Sequence, residues 1–308
     1  MRKIKYFSLY IAFILCVILL FAGKPGFYTA RSSLYLWDLG HILLFTLASI
    51  IIVKKIHWFN NFSFLKQLLI IFMFSLFFGI LTELLQVKFD RTPDVHDLIR
   101  DLLGSLLGIA FFSPRRIDVS NLFRKFVQTG LIILLLVEVY QFTAALADEA
   151  IAWVQFPVLS DFETPMEVDR WLNHSQLKLE NELARQGDNS LRVVLTTSKY
   201  SGVSFKYFRG DWQDYNYLNF SIYNPDNDTL RVICRIHDTD HNHSYRDRYN
   251  KAFYIKNGWN DIKISLSDIQ MAPQDRKMDL SKIELIGIFT VRSPRRRLIF
   301  LDNFRLTS

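Results

Sequence analysis

The chain has 308 residues and a formal charge of +7, and it is 50% apolar but only 22% charged, with Phe alone at 27 positions. Together with a mean hydropathy of +0.12, this excludes a disordered chain and departs from an ordinary soluble enzyme, so the first reading is a membrane protein. Residues 1–149 hold 15 Lys and Arg against 10 Asp and Glu, and the remainder 22 against 20; the basic excess therefore lies in the apolar half, which fits lipid contact and topology signals and gives no reason to expect a nucleic-acid partner.

Taken in chain order, nearly uncharged runs predict five transmembrane helices near residues 5–23, 37–54, 65–86, 96–113 and 126–148. Several reach the roughly 20 residues a bilayer demands only if flanking polar groups lie inside the membrane boundary. The first run begins with basic residues and could be a cleaved signal, but it is long for one and lacks the small residues of a lipoprotein site before Cys16, so it is read as a retained helix. Lys and Arg in alternate loops number ten on the side of the N-terminus and five on the other. That bias puts the N-terminus in the cytoplasm and, after five crossings, residues 150–308 outside: a multi-pass protein of the cell inner membrane with a periplasmic or otherwise extracytoplasmic domain. Cys16 falls in an apolar run and Cys234 in the polar half, so they are not expected to pair.

Residues 150–308 change character. Short β-rich runs at 191–196, 203–208, 217–223, 230–237, 261–266, 284–291 and 298–304 are separated by turn pieces such as GDNS, NPDND and KNGWN. Close spacing and little helical periodicity argue for an all-β antiparallel sandwich. The expected fold is thus an all-α transmembrane bundle over 1–149 followed by an all-β sandwich over 150–308.

The polar residues of the apolar half are the candidate site. Thr92-Pro93 reads as an N-cap followed by Pro at the first helical position of the fourth helix. From there Asp94, Asp97, Asp101, Gly104 and Gly108 fall within an arc of roughly 80°, so one face carries three carboxylates and a small-xxx-small pair that admits another helix. Asp38, His41 and Phe45 share a face of the second helix, and Glu83 and Gln86 share a face of the third. The deduced topology brings all of them to the outer side, with Arg91 and Arg100 as counter-charges, which predicts an outward-facing polar pocket. Glu138 and Gln141 repeat the Glu-x-x-Gln spacing in the fifth helix.

Asp38-x-x-His41-x-x-x-Phe45, Glu83-x-x-Gln86, Arg91-x-x-Asp94-x-x-Asp97 and the Gly104/Gly108 pair resemble the VanZ-like membrane protein family over about residues 5–115. One departure is Asp101, where the family usually has Asn. The resemblance implies a cell-envelope setting and a link to glycopeptide (teicoplanin) resistance. Membrane lipid and an envelope glycan or lipid-linked precursor are then the expected partners. The same residues also fit an acid/base enzyme with Glu83 or Asp97 as base and His41 as acid, or a proton-coupled transporter.

In the polar half, Asp161-Phe162-Glu163, Trp171, Gly187-Asp188-Asn189-Ser190-Leu191, Gly258-Trp259-Asn260 and Leu301-Asp302-Asn303 resemble a carbohydrate-binding or galactose-binding-like jelly roll over about residues 157–308. That resemblance implies a structural calcium on Glu163 and Asp302, with backbone oxygen near Asp188. It also implies a sugar site of aromatic faces and polar edges, for which Trp212, Tyr215, Asp238, Asp240, Arg246 and Arg248 are the candidates, with Tyr200, Tyr217 and Tyr245 as further aromatics. Trp171 and Trp259 are expected in the core. His237, His241 and His243 could share one side of a strand but are read as a solvated loop, as is Arg295-Arg296-Arg297.

Overall fold

The computed structural model describes residues 10–18, 30–86, 94–173 and 177–308. They form two compact units, Met1–Ala144 and Ala145–Ser308.

The first unit is helical. Residues 10–18 are helical (α1), followed by α2 (Arg31–Lys55), α3 (Phe64–Gln86), α4 (Val95–Phe112) and α5 (Asn121–Gln155). Three of the helices, α2, α3 and α5, are long and apolar enough to cross a membrane. The fourth expected span, α4, carries Asp97, Arg100 and Asp101 within 18 residues, and of the first only 10–18 is described. Two boundaries differ from expectation. Helix α2 starts at Arg31 rather than 37, because the polar and aromatic residues before Asp38 oppose burial in hydrocarbon but not helical backbone. Helix α5 continues past 148 for the same reason, through Asp148 and Glu149, and stops before Pro157, a residue that disfavours helix in the one preceding it. The cap of α4 is Asp94, whose carboxylate accepts the His96 N–H at 2.9 Å; Thr92 and Pro93, expected in that role, lie outside the described residues.

The small-residue pair does what its spacing predicted. A Cβ on Gly104 would stand 2.3 Å from the Ile42 carbonyl oxygen, and one on Gly108 would stand 2.6 Å from Ser49 Cβ. Only glycine lets α2 and α4 approach this closely, and Thr46 Oγ1 uses the proximity to donate to the Gly104 carbonyl at 2.9 Å. Ser75 of α3 donates to Ser105 of α4.

The second unit is an antiparallel sandwich of eleven strands: β1 (Val158–Ser160), β2 (Trp171–Leu172), β3 (Leu177–Glu180), β4 (Ser190–Leu195), β5 (Tyr200–Phe205), β6 (Tyr217–Asn224), β7 (Leu230–Asp238), β8 (Tyr249–Ile255), β9 (Gly258–Ser265), β10 (Ile283–Val291) and β11 (Arg297–Thr307). One sheet runs β3-β4-β11-β6-β9 with β1 on β11, and the other runs β2-β5-β10-β7-β8. Their inner faces meet in an aromatic core in which Trp171 stacks on Phe205 at 4.5 Å and Phe220 on Phe304 at 4.8 Å. Seven of the strands coincide with expected runs, whereas β1, β2, β3 and β8 were not foreseen. The last turns of α5 belong to this unit, through a wholly buried ion pair: Arg170 reaches Asp148 with Nη2 at 2.7 Å and Nε at 2.9 Å, and donates to the Leu159 carbonyl.

Candidate functional sites

In the helical unit, side chains from four helices meet around His41 and Arg100. His41, on α2, is buried, with Nδ1 at 2.9 Å from Asp101 and Nε2 at 3.6 Å from Asp97, both on α4. Arg100 is held by three carboxylates: Nη1 at 2.8 Å from Asp97, Nε at 3.0 Å from Glu138 on α5, and Nη2 at 3.2 Å from Asp38 on α2. Glu83, at the end of α3, accepts the Asp94 backbone N–H at 2.8 Å. One oxygen each of Glu83 and Asp101 is buried with no hydrogen-bond partner. Five of the eight sequence candidates, Asp38, His41, Glu83, Asp97 and Asp101, thus join Arg100 and Glu138 in this polar group. Asp94 is exposed, paired with His96 at 3.0 Å, and acts as the cap of α4. Arg91 lies outside the described residues, and of Gln86 only the backbone is described.

In the sandwich, several sugar-site candidates are corrected. Trp212 is fully buried in the core and its indole N–H donates to the Arg209 carbonyl at 3.0 Å, so no ring face is left for a ligand. Tyr215 packs edge-to-face on Phe156 at 5.5 Å. Asp238 is buried in a bidentate clamp with Arg276, both bonds 2.6 Å, and Arg276 also takes Asp247. Those contacts hold the two Asp carboxyls below the usual carboxylate range. Asp240 pairs with Lys282 at 3.0 Å. Arg246 and Arg248 do line cavities. The alternation supposed for His237, His241 and His243 stops at the end of β7, where a turn takes over and His243 has φ +66°; among the described residues no three His, Cys, Asp or Glu side chains group as a metal site. Trp259 is half-buried against Tyr223 rather than in the core. Of the Arg295-to-Arg297 run, Arg295 and Arg296 are exposed before β11 as expected, but Arg297 is buried, and both Arg295 and Arg297 hold Asp228.

A cavity of about 390 Å³ opens on the outer face of the five-stranded sheet, lined by Asn173, Tyr200, Ser204, Arg235, Arg248 and Phe289 with Gly202 beneath. Strand register explains it. One row across the sheet reads Leu172, Ser204, Gly287, Arg235, Asn250, and the next reads Gly202, Phe289, Ile233, Ala252. Glycines in adjacent rows remove side chains from the middle of the face and leave a trough with one polar and one mostly apolar wall. Arg235, Phe289 and Asn173 were missed as candidates. The signal was Gly287 inside the 284–291 run and Gly202 at the edge of the 203–208 run, since a glycine in a strand marks a place where something approaches the backbone.

The expected calcium ligands, Glu163 after β1 and Asp302 on β11, both reach the turn before β4. Glu163 Oε1 accepts the Asp188 and Asn189 N–H groups at 2.9 and 3.1 Å, packed against Gly187 with φ +72°. Asp302 Oδ2 accepts the Arg185 and Gln186 N–H groups at 2.6 and 3.0 Å, while its Oδ1 is buried without a partner. Burial, with the Glu163 charge adding to it, pushes the Asp302 carboxyl up to about 6. The unpartnered buried Asp302 oxygen is the kind of ligand a hard cation takes.

No protein-family model matches the chain, and no curated protein matches it. Similar solved structures include a family 11 carbohydrate-binding module from Clostridium thermocellum in complex with a β-1,3-1,4-mixed-linked tetrasaccharide (18% identity, covering 49% of this chain and 94% of that one, TM-score 0.37). A family 28 module specific for non-crystalline cellulose is similar at 18% identity over 50% of this chain and 94% of that one, with TM-score 0.36. An exo-β-agarase is similar at 16% identity over 49% of this chain and 24% of that one, with TM-score 0.40.

Proposed function

We propose that the chain is a multi-pass inner-membrane protein whose sandwich binds an envelope glycan or lipid-linked sugar in the trough of the five-stranded sheet. The observation that carries this reading is the adjacency of the two rows: a sugar ring has C–H faces and hydroxyl edges, and Phe289 and Ile233 stand next to Ser204, Arg235 and Asn250. Five spans with a cytoplasmic N-terminus and an external sandwich, a VanZ-like helical unit and a role in glycopeptide resistance complete the proposal, supported by the loop charges and the spacing of the polar residues. The test is calorimetry of the detergent-solubilised full chain against a saccharide panel. Phe289→Ala lowers affinity about tenfold, the scale of one good aromatic contact; binding that ignores this change, or no binding at all, ends the reading.

Calcium, held by Glu163 and Asp302, would neutralise two carboxylates and tie the turn before β4 to β11. Added calcium then raises the melting temperature of the wild type and leaves Asp302→Ala unmoved.

A second reading rests on the doubly contacted imidazole of His41. An imidazole oriented by a carboxylate is poised for proton transfer, so the helical unit would act on a lipid-linked substrate or move protons. Lipids and glycans that co-purify, identified by mass spectrometry, supply the substrate. Catalysis predicts that Glu83→Gln abolishes turnover while binding persists, and transport predicts pH-gradient-dependent flux in proteoliposomes.

A further inference from the structure

A guanidinium cannot shed its charge in a protein, so one that is taken partly out of water needs an anion. Five arginines of the sandwich have theirs: Arg170, Arg185, Arg276, Arg295 and Arg297 each hold a carboxylate. Arg235 and Arg248 do not. Both are half-buried, both line the trough, and among the described residues neither forms an ion pair. The Nε of each is buried with no hydrogen-bond partner, and so is Nδ2 of Asn250, the register neighbour of Arg235 on β8. Their ring contacts, Arg248 on Tyr245 at 5.4 Å and Arg235 on Phe289 at 6.0 Å, steady the guanidinium groups without supplying counter-charge. The charge that Arg235 feels is that of Arg248, which repels it, and burial together with that repulsion holds the Arg235 guanidinium below its ordinary range. The polar wall of the trough is therefore rich in donors and positive, with no carboxylate lining the cavity.

We infer that the trough takes an acidic saccharide, its carboxylate or phosphate bound between Arg235 and Arg248 and its ring against Phe289. This rests on the glycan reading above and deepens it, because a neutral sugar would leave two charges in the trough uncompensated. Carboxylate and phosphate both suit the donor set.

The experiment titrates the detergent-solubilised full chain with an oligogalacturonate, a glycerol-phosphate oligomer, an uncharged oligoglucan and polyglutamate. At least one acidic saccharide is expected to bind tenfold or more tightly than the oligoglucan, and which one identifies the anion. Arg235→Gln and Arg248→Gln each remove about tenfold of that affinity, as the loss of a charge-assisted hydrogen bond does, and cost the oligoglucan less, so the preference for the acidic saccharide narrows. Thermal melts confirm that each variant is folded, and Arg235→Lys, which keeps the charge but loses the fork, falls between wild type and Gln. Equal affinity for the oligoglucan, untouched by either substitution, overturns the inference and leaves the glycan reading standing. Polyglutamate binding as tightly as the acidic saccharides overturns it too, because charge alone would then suffice. If no saccharide binds, the glycan reading itself falls.

Discussion

Two places, one in each unit, use arginine in opposite ways. In the helices Arg100 is surrounded by Asp38, Asp97 and Glu138, a cation with more than enough counter-charge that joins three elements. In the sandwich Arg235 and Arg248 face a trough with no carboxylate partner. The lesson is that a buried cation with its anions supplied by the same chain reports on architecture, whereas one without them reports on what arrives from outside.

The comparison breaks most visibly at Arg100. Arg100→Leu strands three carboxylates at low exposure and is expected to cost about 3–5 kcal/mol, read as a lowered unfolding midpoint in detergent; adding Asp97→Asn recovers part of the loss. Within the sandwich, Asp148→Ala leaves the Arg170 guanidinium buried without its partner and costs about 3 kcal/mol by the same reasoning, whereas Arg235→Gln leaves stability close to wild type. Gly104→Val forces α2 and α4 apart and is expected to cost about 1–3 kcal/mol, measured in the same melts. A further effect is in pH. Burial, helped by the nearby charges of His241, Arg235 and Arg248, pushes the His237 imidazole down to about 4. Its folded value lies below its unfolded one near 6.5, so the unfolded chain binds more protons between them. The stability tied to this group is complete above pH ~6.5 and is lost as pH falls toward 4. His237→Gln makes the stability curve flatter across that window; an unchanged slope would exclude His237 as its source.

The helical polar group was largely legible in the sequence because helical periodicity fixes which side chains share a face, and ionisable groups at membrane depth must then find one another. What the sequence did not show was that Arg100 would be the centre, since its partner Glu138 is 38 residues away in chain order. The strands of the two sheet interiors were legible from their apolar runs. Edge strand β8 was not, because its inward positions include exposed Lys251 and break the alternation. Two of the sugar candidates, Trp212 and Asp238, failed for a different reason. Trp212 sits in a polar turn and folds back into the core, and Asp238 is claimed by Arg276, 38 residues later; nothing local distinguishes an aromatic on a surface from one that returns inside. The trough itself depends on the register of four strands, which no single stretch of sequence contains.

The two glycines of the trough are not equivalent. At Gly202 an added carbon would run into the backbone of β10, at the Ile288 oxygen, whereas at Gly287 it would meet only side chains at ordinary distances, Arg235 Nε at 3.5 Å and Leu285 Cδ2 at 3.7 Å. The first is locked by the architecture and the second is free to vary. The shape of the groove can therefore drift through one codon, 287, at which a methyl group would make it shallower and nudge one guanidinium while the strands keep their spacing.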